Sequence, residues 1–158
     1  MTAWTLDRIL RAARQHNATD IHLVRGVAPA LRIGGDIQVA GTNSQGQPWR
    51  VGIRNPFNPH EIVKVLAIGD CGVATSGTYI RGQHIYNPKS SGQPITEIVS
   101  LTVIGPNVYE ADRFATAAFA MGRAGIFFIE QLEGLEGYMI DRHGQATLTS
   151  GFARYVQQ

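Results

Sequence analysis

The sequence predicts an α+β fold, a mixed sheet with a few packed helices. Strand-like stretches come in groups, and Thr96–Gly105 (TEIVSLTVIG) has the β-branched composition of a central strand. Few segments carry apolar residues at helical spacing. The strongest is the Ala-rich Tyr109–Gly122 (YEADRFATAAFAMG). No internal repeat or low-complexity tract divides the 158 residues, a length that suits one domain, with or without a small appendage.

Along the chain, Leu6, Ile9, Leu10 and Ala13 predict a helix over Thr5–Gln15, with Thr5 as its cap. Asp20–Val24 (DIHLV) alternates as a short strand. Ala30–Gly41 (ALRIGGDIQVAG) reads as one strand interrupted at Gly34-Gly35, by a bulge or a close backbone approach. Trp49–Ile53 is a strand. Asn58, Pro59 and Glu61 form a helix-start pattern, so a short helix is expected to end near Ala67. Gly72–Gly77 and Thr78–Tyr86 read as strands across a glycine turn. After Tyr109–Gly122, with Gly122 just past its end, Arg123–Leu132 reads as a second helix. GYMID and QATLTS form a hairpin over Arg142-His143-Gly144, and the tail GFARYVQQ is expected to be loose.

Composition excludes several classes. The chain is 44% hydrophobic and 16% charged, as in soluble globular proteins. A net charge of +2, with scattered Lys and Arg, argues against a nucleic-acid partner. The single cysteine, Cys71, excludes an intrachain disulfide and a Cys-rich zinc site. The N-terminus has no uninterrupted apolar run and no stretch reaches membrane-span length. The expected location is cytoplasmic, or periplasmic if a leader has been removed. P-loop, GxSxG and HExxH patterns are absent.

Four features carry candidate chemistry. Asp112 and Thr116 stand four apart on one helix face, offering a carboxylate and a hydroxyl as hard oxygen donors to Mg²⁺. Such pairs are also ordinary helix-surface residues, and an Asp near a helix start suits the dipole. His84 sits between turn-formers and can exchange protons near neutral pH, although most strand histidines have no catalytic role. Ala74–Gly77 (ATSG) can turn hydroxyls and backbone N–H groups onto a phosphate, or be a simple turn. The double glycine of Gly34–Ile37 (GGDI) admits a ligand, another backbone, or a bulge.

Taken in order, GGDI, GQPWRVGIRNP, VATSGTY, HIYNPKSSGQP, VSLTVIGP and ADRFATAAFAMG resemble the C-terminal half of the FAD:protein FMN transferase (ApbE) family, over about residues 34–152. The resemblance implies a truncated ApbE-like core. It implies Mg²⁺-dependent FAD binding and transfer of FMN to a Ser or Thr of a target protein. Asp112 and Thr116 match the family's metal-binding residues, and His84 matches its reactive histidine, a base or proton shuttle for the attacking hydroxyl. Thr75, Ser76 and Gly77 fall in the segment that lines the flavin cleft, and Ile85 is placed to touch the flavin. Two positions depart from the family pattern. Asn87 stands where the family has Asp before Pro, and an extra Ser sits in KSSG. The family's Asp-Leu-Gly-Gly-Ile-Ala-Lys-Gly type segment is not found here. A homodimer or a partner chain would then complete the cleft.

Residues 1–38 also resemble the start of the N-terminal domain of the PilT/GspE-type secretion ATPases, through ATDIHL and the G-x-x-P-x-L-R-I-x-G-D-I spacing. The expected organisation is therefore a helix-plus-hairpin segment over 1–38 and an ApbE-like domain over 39–158, packed as one compact unit. Two alternatives to an active transferase stay open: a non-catalytic binding or assembly module, and an engineered chimera that keeps the fold core.

Overall fold

The computed structural model describes residues 11, 14, 20–22, 30–33, 36–78, 85–87 and 93–157. Nine strands are described: β1 (Asp20–His22), β2 (Ala30–Ile33), β3 (Asp36–Val39), β4 (Trp49–Arg54), β5 (Ile62–Ile68), β6 (Gly72–Gly77), β7 (Ile98–Gly105), β8 (Glu136–Asp141) and β9 (Ala146–Leu148). Helix α1 (Val108–Ala120) and helix α2 (Ala124–Glu130) lie between β7 and β8, and a 3₁₀ turn (Phe152–Tyr155) follows β9. A seven-stranded sheet runs β1-β2-β3-β6-β7-β8-β9, and β4 and β5 form a separate ribbon.

The α+β class expected from the sequence is the one observed. The sheet is not the mixed one expected: among the described residues every strand ladder is antiparallel. The connections explain this. The β4–β5 ribbon joins β3 to β6, and the α1–α2 pair joins β7 to β8. Each link returns the chain to an adjacent strand running the other way.

Alternation along the central strands divides the core in two. Ala74, Leu101, Val103 and Met139 face the helices and pack with Ala111, Ala115, Ala118, Phe119, Ile126 and Ile129. Their neighbours Val73, Ile104 and Ile140 point the other way, into a core shared with Val51, Ile53, Leu66, Ile68 and Phe152. β7 is buried almost throughout because both its faces are covered, which is why it is mostly apolar without strict alternation.

Helix α1 begins where Asn107, in extended conformation, accepts the backbone N–H of Glu110 on its side-chain oxygen at 2.9 Å. A second orphan donor, the Val108 N–H, reaches Gln38 Oε1 at 2.7 Å. Gly72 lies directly beneath this helix start. A Cβ there would collide with the backbone of Asn107 and Val108, so only glycine lets α1 settle on β6. Gly122 closes the helix end at φ +61°, as its position in the sequence predicts.

Three local expectations are corrected. Asn58–Ala67 is not a helix. Asn58 and Glu61 do interact, but they close a turn: Asn58 Oδ1 accepts the His60 N–H and Asn58 Nδ2 donates to Glu61 Oε1. The following IVKVLAI is β5, paired with β4, and its β-branched content outweighs the cap-like pattern. Ala30–Gly41 is not one interrupted strand. β2 and β3 are two strands paired antiparallel, with Ile33 opposite Asp36. The tail is not loose through Val156. Phe152 is fully buried and stacks on Tyr138 at 5.4 Å, and Val156 bridges to Leu66. The helix expected over Thr5–Gln15 lies almost entirely outside the described residues, as does most of the Thr78–Tyr86 strand.

Candidate functional site

Helix α1 runs alongside β6, its first turn on Gly72 and its third on Ser76. Ala111, Ala115 and Ala118 have no exposed surface, so the helix backbone comes close to the sheet. This approach brings together two segments separated by 40 positions: Ser76 Oγ lies 3.3 Å from Thr116 Oγ1. Ser76 is buried, whereas Thr116 and Asp112 are exposed and stand one turn apart on α1. Asp112 and Thr116 thus offer a carboxylate and a hydroxyl one turn apart, with the Ser76 hydroxyl against Thr116 from the sheet side. These are hard oxygen donors. They fit an ion such as Mg²⁺, which takes one or two carboxylates and keeps its remaining positions for water and phosphate oxygens. Among the described residues no group of three or more His, Cys, Asp or Glu assembles.

The neighbouring residues of the ATSG segment divide between the sheet faces. Thr75 points away from α1, and its hydroxyl lies 2.8 Å from that of Thr102, directly opposite on β7. The Thr75 N–H donates to Asp36 Oδ1 at 3.3 Å. Gly77 ends β6 opposite Ser100, whose Oγ is buried and has no hydrogen-bond partner among the described residues. Ile85 is half-buried against the helix-side core. His84 lies outside the described residues.

Residues that build this corner include some the sequence reading did not single out. Gln38 accepts from the α1 N-terminus, while its Nε2 donates to Val39 O and Cys71 O. Asp36 belongs to GGDI, a motif noticed for its glycines rather than its carboxylate. Thr102 carries no local signal, because only strand register reveals that it faces Thr75. Cys71 is no nucleophile here, since burial pushes its thiol up to about 11. At the far end of β8, Asp141 is held below the usual carboxylate range by the N–H groups of Gln145 and His143 and by Arg123. That cluster pins the β8–β9 turn. A cavity of about 180 Å³ between α1 and the α2–β8 connection, lined by Pro106, Glu110, Phe114, Leu132, Glu133 and Leu135, is separate from the Ser76–Thr116 junction.

A sequence model of the ApbE family matches residues 3–139. The chain belongs to the ApbE family. The FAD:protein FMN transferase of Salmonella typhimurium is 35% identical over 144 residues, which cover 81% of this chain and 41% of that protein. Its counterpart in Escherichia coli K12 is 35% identical over 129 residues, 75% of this chain and 36% of that one. Among solved structures, the flavin transferase ApbE from Vibrio cholerae superposes with a TM-score of 0.71 at 28% identity, covering 95% of this chain and 48% of that chain. The ApbE protein from Thermotoga maritima reaches the same TM-score of 0.71 at 23% identity, a likeness of fold. The chain therefore spans less than half the length of each of these ApbE relatives.

The ApbE match begins at residue 3 and runs through the segment that resembles the secretion ATPases. The separate PilT/GspE resemblance is not supported. Its physical basis is slight, because a strand, a turn and a glycine-broken second strand describe many antiparallel hairpins. Here β1, β2 and β3 continue the sheet through β6.

Proposed function

We propose that this chain binds FAD together with Mg²⁺ and transfers FMN from it to a Ser or Thr hydroxyl of a target protein. The observation that carries the reading is the Ser76–Thr116 contact, which joins the ATSG segment to the helix face bearing Asp112. The names of the FAD:protein FMN transferase relatives support the chemistry.

Asp112 and Thr116 would hold the cation. When bound, it would neutralise the pyrophosphate and the departing AMP. The chain's own groups do the rest. Gly77 lets the flavin approach the end of β6 without meeting a side chain. Ile85 supplies an apolar contact beside it. His84 takes the proton of the acceptor hydroxyl as its oxygen bonds to the FMN phosphorus. The bond from that phosphorus to the AMP oxygen breaks, and AMP leaves. Residues 1–38 and 39–158 act as one unit in this reading, and a second copy or a partner chain closes the cleft.

A second reading is a binding or assembly module on the same fold core, favoured by Asn87 in place of the family's Asp. Release of AMP from FAD by the unsubstituted chain separates the two, and one substitution then tests the metal. Asp112→Ala should abolish Mg²⁺-dependent release of AMP from FAD and leave the thermal unfolding midpoint within a few degrees, as expected for an exposed helix position. Release at the unsubstituted rate would refute the metal assignment.

A further inference from the structure

Sequence order places Thr75, Ser76 and Gly77 in one cleft-lining segment, but strand geometry separates their side chains. Thr75 and Ser76 are neighbours on β6 and so face opposite sides of the sheet. The Thr75 hydroxyl is engaged with Thr102 at 2.8 Å, on the side away from the helices. The Ser76 hydroxyl meets Thr116 at 3.3 Å, on the helix side.

Hydroxyl chemistry decides what that contact can do. A threonine hydroxyl has one proton and two lone pairs. To ligate a cation it must direct a lone pair outward and place its proton elsewhere. Inside a helix the usual place is the carbonyl four residues back, which for Thr116 is that of Asp112. Ser76 provides a different acceptor, from the sheet side. If Thr116 donates to Ser76 Oγ, its lone pairs turn toward the exposed face on which Asp112 stands. Ser76 is only 7% exposed, and β6 and α1 hold the two hydroxyls together. The Ser76 side of the bond is therefore shielded from water, while Thr116 remains exposed.

We infer that Ser76 is a positioning residue for the candidate metal site, acting through Thr116 rather than touching the flavin. This inference rests on the proposed function, since it presumes that Asp112 and Thr116 take a divalent cation. It assigns the ATSG segment a division of labour: Ser76 orients the cation ligand, Thr75 ties β6 to β7, and Gly77 leaves room at the strand end.

The test is a double-substitution cycle on metal affinity, using the full 158-residue chain with FAD present and Mn²⁺ as the probe, free Mn²⁺ being read by electron paramagnetic resonance. Ser76→Ala should weaken Mn²⁺ binding about three- to tenfold, the range of one hydrogen bond. In a Thr116→Ala background, Ser76→Ala should cause no further weakening, because its route to the cation has been removed. Equal weakening in both backgrounds, or unchanged affinity for Ser76→Ala alone, would overturn the positioning role. If Ser76→Ala does not fold, Ser76→Cys keeps the volume with a weaker acceptor and reads the same coupling. Failure of the unsubstituted chain to bind Mn²⁺ saturably would overturn the metal reading itself, a result distinct from a missing Ser76 effect.

Discussion

The two faces of the seven-stranded sheet are packed differently. The helix face mixes sizes: Ala74 on β6 and Ala111, Ala115 and Ala118 on α1 are small, set among larger residues such as Leu101, Phe119 and Ile129. The far face is lined by bulky ones, with Ile104, Ile140, Leu66, Ile68 and Phe152 interlocking across to the β4–β5 ribbon. Both exclude water. The small residues contribute less apolar burial each, but they let a helix lie close enough for Thr116 to reach Ser76. Both cores contribute stability, and on the far face the contact between the Thr75 and Thr102 hydroxyls joins β6 to β7. The Ser76–Thr116 contact lies on the helix face of the same strands. Alternation makes this available to any strand buried on both faces.

This contrast can be broken from either side. The largest expected effect is Phe152→Ala. It empties a fully buried site stacked on Tyr138 and should cost about 3–5 kcal/mol in denaturant unfolding. While the variant remains folded, Mn²⁺ affinity should be unchanged, because no group at the Ser76–Thr116 junction contacts Phe152. A parallel loss of metal affinity would show that the faces are not independent. Ala115→Leu should cost less, about 1–3 kcal/mol, since it overpacks rather than empties. Its effect on binding should be the greater. Ala115 has no exposed surface, and a larger side chain there must lift α1 from the sheet and part Ser76 from Thr116. Retained metal affinity in a folded Ala115→Leu chain would mean that close approach of the helix is not what assembles the site.

Legibility in the sequence followed the range of the interactions. Helix α1 was readable because alanine content, apolar spacing and the glycine at its end all act locally. β7 was readable for the same reason. Asn58–Ala67 misled because a capping pattern is local too, and here it closes a turn. Only the pairing of Ile62–Ile68 with Trp49–Arg54 shows which tendency prevails. The tail misled because Phe152 is stabilised by Tyr138 and Val156 by Leu66, contacts that no local signal announces.

The candidate site divides in the same way. Asp112 and Thr116 are four apart on one helix, so their shared face follows from spacing. Ser76 joins them through 40 positions of intervening chain, and Thr75 departs from them because strand neighbours point oppositely. Gln38, which satisfies the α1 start from β3, has no sequence signature at all. Long-range register is the information that a single sequence leaves implicit.

A Mg²⁺-assisted flavin site on this fold core should bind FAD in a way that depends on the cation. The most direct measurement is a titration of the purified chain with FAD, with and without Mg²⁺, followed by flavin fluorescence. Saturable binding that tightens with Mg²⁺ is the predicted result. Absence of binding under both conditions, or binding indifferent to Mg²⁺, would contradict the account.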